Sequence, residues 1–420
     1  MTTAREFERT HPWLSFDVDL EEASYRLWLL LGEATSKSDH VRRALLRPEV
    51  AEELQEIFLV KGALATTAIE GNTLSEEEAR QVFENKLRLS PSKEYLGQEI
   101  RNVRDAFDHI RDEILPDAST ADLSVEKIKL YNRFVLEGLA VEDGVVPGQI
   151  RTHSVVVGRY RGAPAQDCEH LLGRLCEWLN SEAFEAPQDH PELAPPLAIL
   201  KAALAHLYLA WIHPFGDGNG RTARLLEVHI LLASRFPQPV TQLLSNHYNQ
   251  TRSEYYRQLD RTSREGPNGF LLYAVQGFVE ELRGQLDRIW SMQYVDRWEQ
   301  YIHQQFGETR TDSRRRQLRL VKDLSKASIE VLPNHHLYPL PRIGPVPRSK
   351  LRMLSPELAE AYARKTERTL SRDLNALERM GLVWRSEDGW WPNSDSVLGF
   401  MPPQVRAEAD GLGGGMHRSW

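Results

Sequence analysis

Cysteine is scarce: of 420 residues only Cys168 and Cys176 carry thiols, too few for a disulfide framework or a thiolate metal site. A reducing cytosol is the expected compartment. Residues 1–16 hold charges of both signs and no apolar run, so no signal peptide is expected. Long apolar stretches are also lacking. The longest, 197–212 (LAILKAALAHLYLAWI), is interrupted only by Lys201 and His206 and falls short of the ~20 residues of a membrane span, so no membrane partner is expected. A run apolar on nearly all sides predicts instead the central buried helix of an α-helical domain, with His206 a satisfied core histidine. Nor does charge of one sign dominate: 52 Lys and Arg against 60 Asp and Glu leave −8 overall, which gives no global argument for nucleic-acid binding.

What is present reads as helices. Apolar residues recur at helical spacing over 49–68, 75–87, 95–114 and 125–139, and an all-α fold follows. Glu70-Gly71-Asn72 separates the first two, and Ser75-Glu76-Glu77-Glu78 is a capping-box pattern that starts a new helix, which puts Glu70 at a helix C-terminus. The turn-rich run 143–148 precedes Val155-Val156-Val157, Gly158 and Arg159-Tyr160-Arg161, the clear hairpin of the first half. Helical text resumes over 167–178, 221–233, 252–274 and 271–306.

One stretch carries chemistry: His213-Pro214-Phe215-Gly216-Asp217-Gly218-Asn219-Gly220-Arg221-Thr222-Ala223-Arg224. A buried helix ends in a histidine, a loop with three glycines follows, and a second helix opens at Arg221. Glycines let backbone N–H groups turn toward a ligand and a helix N-terminus adds partial positive charge, so this is an anion cradle suited to phosphate. Asp217 offers hard oxygen chemistry for a partly hydrated Mg²⁺. Arg221 and Arg224, three apart, share a helical face. His213 is the group able to take a proton near neutral pH, and Phe215 is an aromatic anchor for the loop. A base, a metal ligand, an anion hole and two cationic clamps together suit attack by a hydroxyl on a nucleotide phosphate.

The run HPFGDGNGRTAR resembles the signature of the Fic family, His-x-Phe-x-Asp/Glu-Gly-Asn-Gly-Arg-x-x-Arg, and departs from it nowhere. The resemblance implies an all-α Fic-type core and transfer of AMP from ATP to a Ser, Thr or Tyr hydroxyl of a protein target. It makes His213 the general base, Asp217 the Mg²⁺ ligand, Gly218, Asn219 and Gly220 the anion hole, Arg221 a phosphate clamp and Arg224 the holder of the γ-phosphate. Thr66-Thr67-Ala68-Ile69-Glu70-Gly71 resembles the family's inhibitory motif, Ser/Thr-x-x-x-Glu-Gly/Asn, in its class with an N-terminal inhibitory helix. On that reading Glu70 pairs with Arg224 and ATP binds in an unreactive pose. The segment 147–157 looks like the family's flap, where Ser154, Val155, Val156 and Val157 would register a target strand main chain to main chain. Residues 244–256 resemble the segment closing over the adenine, with Gln250 assigned a base contact although Thr251 stands where asparagine is commoner.

Toward the C-terminus, Arg314, Arg315, Arg316, Arg319, Lys322 and Lys326 stand against Asp312 and Asp323. Helical text over 355–364 and 367–380 and a hairpin over 383–391 then look like a winged helix-turn-helix, its recognition helix within 366–377. From Arg348 to Asp388 nine Lys or Arg face seven Asp or Glu, so DNA, protein docking and dimerisation are all open to it. The expected organisation is an N-terminal region carrying the inhibitory helix (1–110), a Fic core with its hairpin flap (111–290), linker helices with the winged-helix module (291–395) and a disordered tail (396–420). The expected partners are an unidentified target protein at the flap, the chain itself by self-modification, a second copy in a homodimer, and DNA. The same parts also allow the reverse reaction, removal of AMP with Glu70 placing a water, or an ATP-sensing DNA-binding regulator.

Overall fold

The computed structural model describes residues 5–20, 23–87, 89–116, 121–158, 160–307, 311–328 and 344–398. The tail beyond 398 and the Pro-rich text of 329–343 lie outside the described residues. Residues 1–283 and 284–420 separate into two compact units.

The first unit begins with α1 (Glu6–Thr10), α2 (Tyr25–Arg42), α3 (Pro48–Ala68), α4 (Glu76–Phe83), α5 (Glu94–Ile114) and α6 (Val125–Leu136). A two-stranded antiparallel hairpin follows, β1 (Val156–Val157) and β2 (Tyr160–Arg161), in the register Val156 to Arg161 and Val157 to Tyr160. Then come α7 (Cys168–Leu179), α8 (Ala194–Ile212), α9 (Asn219–Ala233), α10 (Leu243–Gln250), α11 (Arg252–Glu265) and α12 (Asn268–Phe306), the last running on past residue 283. The hairpin and most helices fall where the sequence periodicity puts them; α2 and α10 are not legible in it, and the helix expected over 252–274 breaks at Gly266 into α11 and α12. The capping box forms as read: Ser75 Oγ accepts from the Glu78 N–H at 3.2 Å and Glu78 Oε2 accepts from the Ser75 N–H at 2.9 Å, although α4 stops at Phe83 rather than running to 87.

Helix α8 is the centre of this unit, with α9, α7 and α2 packed against it. It starts three residues before the apolar run, at Ala194, and within the window 191–212 it is long and apolar enough to cross a membrane by length and composition. Its burial decides otherwise: 72% of that window is enclosed by the protein's own helices. His206, with none of its surface exposed, meets the Tyr255 hydroxyl through Nε2 at 2.9 Å; its Nδ1 lies 3.0 Å from Glu227 Oε1 without forming a hydrogen bond among the described residues, so the core histidine expected is satisfied at one nitrogen.

The second unit holds α13 (Asp312–Ser328), α14 (Pro356–Tyr362), α15 (Glu367–Arg379) and a second antiparallel hairpin, β3 (Val383–Arg385) with β4 (Trp390–Pro392). Its core gathers Trp298, Leu320, Leu324, Leu358, Leu370, Leu374 and Trp390. Asp373 on α15 is buried and satisfied by Arg316 at 2.6 Å, the Tyr362 hydroxyl at 2.8 Å and Gln317 at 3.0 Å.

Candidate active site

The loop between α8 and α9 is shaped by two left-handed residues, His213 (φ 50°) at the end of α8 and Gly218 (φ 76°) at the start of α9. Asn219, the first residue of α9, works as a clasp on the loop. Its Nδ2 donates to the Phe215 carbonyl at 2.8 Å and its Oδ1 accepts from the Phe215 N–H at 2.9 Å. Phe215 is 1% exposed, the anchor expected. Both arms of the Asn219 side chain are thus used inside the loop, so its share of the anion hole falls to its backbone. The N–H groups of residues 219–221 open α9 and have no acceptor within the helix. Asn132, from the middle of α6, braces the loop: its Nδ2 donates to the Asp217 carbonyl at 2.9 Å and its Oδ1 accepts from the Gly148 N–H at 2.9 Å.

Arg151 ties the flap to His213. Its guanidinium, 4% exposed, donates to the carbonyls of His213 at 2.7 Å, His153 at 2.6 Å and Ala163 at 2.5 Å. The Arg151 N–H also donates to the Pro214 carbonyl at 3.0 Å. Burial, reinforced by the charge of Arg151, pushes the His213 imidazole down to about 4. Near neutral pH the ring is therefore uncharged and can accept a proton. Val156 is 59% exposed, while the outer edge of β2 is occupied, since His11 Nε2 donates to the Arg161 carbonyl at 2.9 Å.

Arg224 is 1% exposed and meets the end of α3. Its Nε donates to Thr66 Oγ1 at 2.5 Å, and Nη2 to the Thr66 carbonyl at 3.0 Å and to Glu70 Oε1 at 2.5 Å. Gly71 at φ 108° ends the helix as only glycine does cheaply, and the turn that follows aims Glu70 across at α9. Burial works to raise the Glu70 carboxyl, but the charge and hydrogen bond of Arg224, helped by Arg221 and Arg252, overcome it and hold the group below its ordinary value. Gly220 leaves room for this: a Cβ there would collide with Glu70 Oε1. The Glu70 carboxylate thus lies over the first turn of α9, in the hollow a phosphate would use.

Arg221 pairs with Glu99 of α5 at 3.1 Å and stands 3.5 Å from Asp217 Oδ1. Arg221 Nε and Arg224 Nη1 are buried without an acceptor among the described residues, and two orphaned cationic N–H groups at one helix N-terminus fit an anionic ligand. Asp217 is half exposed, its Oδ1 accepting the Gly218 N–H at 2.5 Å. No three His, Cys, Asp or Glu side chains gather as a metal cluster among the described residues. One carboxylate open to water suits Mg²⁺, whose other ligands are water and phosphate.

A cleft of about 660 Å³ opens over these groups, lined by Glu70, His213, Gly220, Tyr160, Trp211 and Tyr256 among others. Gln250 is placed away from this lining. Its amide donates to Glu281 on α12 at 2.7 Å and it does not line the cleft, because it ends α10 on the face turned to α12; Tyr255 and Tyr256 of α11 line the cleft instead. The residues that sequence reasoning passed over are Asn72, Glu99, Asn132 and Arg151.

Residues 122–231 match the model of the Fic/DOC family. The matched stretch holds the whole α8–α9 loop, within a mostly helical fold of the Fic type. It is 32% identical over 194 residues to protein adenylyltransferase fic-1 of Caenorhabditis briggsae, covering 46% of this chain and 34% of that relative. With protein adenylyltransferase Fic of Nematostella vectensis the identity is 27% over 212 residues, 50% of this chain and 45% of the relative. The chain thus spans less than half the length of these curated relatives. Among solved structures it superposes on Fic-1 of C. elegans with a TM-score of 0.52 at 26% identity, over 62% of this chain and 72% of that one. A Fic family protein of Desulfovibrio desulfuricans G20 shares the fold at 19% identity and TM-score 0.50, over 87% and 92%.

Proposed function

We propose that this chain is a protein adenylyltransferase that moves AMP from ATP to a Ser, Thr or Tyr hydroxyl of a target protein and is restrained by Glu70. The observation that carries the reading is the meeting of an uncharged His213 and the open N-terminus of α9 at one cleft, with two buried, orphaned arginine N–H groups in the first turns of the same helix. The adenylyltransferase names of the relatives support it.

In this mechanism the backbone N–H groups that open α9, those of Asn219, Gly220 and Arg221, hold and orient the phosphates with the Arg221 and Arg224 side chains, while the Gly218 N–H expected beside them donates to Asp217 Oδ1. His213 takes the proton of the acceptor hydroxyl while its oxygen bonds to the α-phosphorus. The bridging P–O bond to the β-phosphate breaks and pyrophosphate leaves. Mg²⁺, held through Asp217, would supply neutralising charge to the phosphates. Thr66 and Glu70 occupy Arg224, the guanidinium that should orient the γ-phosphate, and that is the restraint.

The target strand adds along 154–157, the flap edge that His11 leaves open. The module of α14, α15 and the β3–β4 hairpin is read as a winged helix-turn-helix. On α15, Arg368 and Arg372 are exposed and in no ion pair among the described residues, which supports a duplex-facing helix. A cytosolic setting, self-modification and a homodimer complete the reading.

The test is intact mass after incubation with ATP and Mg²⁺. An added adenylyl mass on Glu70→Gly, absent from wild type and from Glu70→Gly/His213→Ala, is the expected pattern. Lack of transfer by Glu70→Gly to itself or to any protein of a cell extract would overturn the assignment.

A further inference from the structure

Asn72 follows the Glu70-Gly71 turn directly and is 6% exposed. Its side chain is fully committed: Nδ2 donates to the Leu96 carbonyl at 2.9 Å and to Glu99 Oε2 at 2.9 Å, and Oδ1 accepts from the Leu74 N–H at 3.1 Å. The other oxygen of Glu99 accepts from Arg221 Nη1 at 3.1 Å. One carboxylate on α5 therefore joins the turn that carries the restraint to the arginine that faces the phosphates.

We infer that Asn72 and Glu99 are positioning residues, a clasp in which Asn72 fixes the Glu70 turn against α5 and Glu99 fixes Arg221 for phosphate. The inference rests on the restrained-transferase reading and deepens it. Two features give the clasp its effect. Gly71 at φ 108° has no Cβ and nothing packs against the space a Cβ would take, so the turn has no side-chain contact of its own at that point. Its registry comes from the backbone bonds to Thr67 behind it and from Asn72 ahead. Arg221, 5% exposed, would be a buried charge with only the half-exposed Asp217 opposite if Glu99 were lost. Burial raises the Glu99 carboxyl against the pull of Arg221 and Asn72, with Glu70 and Asp217 adding to the rise.

The test uses the full chain in two readouts. In AMP transfer, Asn72→Ala should rise several-fold over wild type yet change nothing in the Glu70→Gly background, because a clasp for the restraint has no work once the restraint is gone. Glu99→Gln in the Glu70→Gly background should raise KM for ATP about tenfold with a smaller change in kcat, the signature of lost ground-state positioning. In amide hydrogen exchange, which does not depend on any activity, both Asn72→Ala and Glu99→Gln should speed exchange at residues 69–72 at least tenfold while residues 197–212 stay protected. Equal loss of transfer in both backgrounds would make Asn72 a plain structural support and overturn the clasp. Unchanged exchange at 69–72 would overturn it even if the protein transferred nothing, and an inactive Glu70→Gly with accelerated exchange would instead fault the transferase reading alone.

Discussion

His213 combines a left-handed backbone, an enclosed ring and a neighbouring guanidinium, and the last two hold its imidazole down at about 4. As the proposed base it is already unprotonated across the neutral range. The kcat of Glu70→Gly is therefore expected to be flat between pH 6 and 8; a fall centred on the ordinary histidine value of about 6.5 would show that burial does not govern the base. His213→Ala should abolish transfer and leave ATP affinity, by calorimetry, within a few-fold. The residues of 213–224 were legible in the sequence because they are contiguous, so spacing alone puts base, glycines and arginines at one helix start. Glu99 was not. It lies 122 positions from Arg221, on a helix whose pattern shows only amphipathicity, and nothing local marks one glutamate of α5 among several.

At the scale of elements, the α8–α9 loop is held chiefly by side chains, beside a single antiparallel β-bridge between Ile150 and Phe215. Asn219→Ala would strip both Phe215 backbone groups of their partners in a buried setting, at about 1–3 kcal/mol per orphaned group. The melting temperature of the protein should drop by several degrees, and an unchanged value would mean that Phe215 packing alone holds the loop. The hairpin was legible from its valines and its Gly158 turn, and the capping box from Ser75 and Glu78. The placement of Gln250 against Glu281 was not legible: α10 is eight residues long, and resemblance along a segment does not say which side of so short a helix faces a cleft. For α15, Arg368→Ala/Arg372→Ala should lower the affinity of the chain for duplex DNA and flatten its dependence on salt in a gel-shift titration; equal retardation of both proteins would remove that face as the contact.

For the molecule as a whole, acid should act early. His213 and His229 are both pushed down to about 4, chiefly by burial, whereas an unfolded chain protonates them near 6.5. Between those values the unfolded state binds more protons, so stability rises with pH through that window and is lost as pH falls from about 6.5 toward 4. Melting temperature measured across that range should decline steadily, by more than the carboxylates alone bring above pH 5. Cys168 and Cys176 offer a second global probe. Burial raises their thiols to about 11 and about 12, so alkylation at pH 8 should be negligible in the folded protein and complete in denaturant, reporting on the 1–283 unit and silent on the other.

In the proposed mechanism Gly220 is the vacancy on which restraint and reaction both depend. On that mechanism a carboxylate and a phosphate oxygen are alternative guests of one hollow, and alternatives for the same space obey a reciprocity: the factor by which one discourages the other is the factor returned. The helix end bearing Glu70 is thereby a competitor permanently tethered at fixed effective concentration. Loosening its tether tenfold can raise productive nucleotide occupancy tenfold at most, so the strength of this brake has a ceiling that is set by a single pair of exchangeable anions.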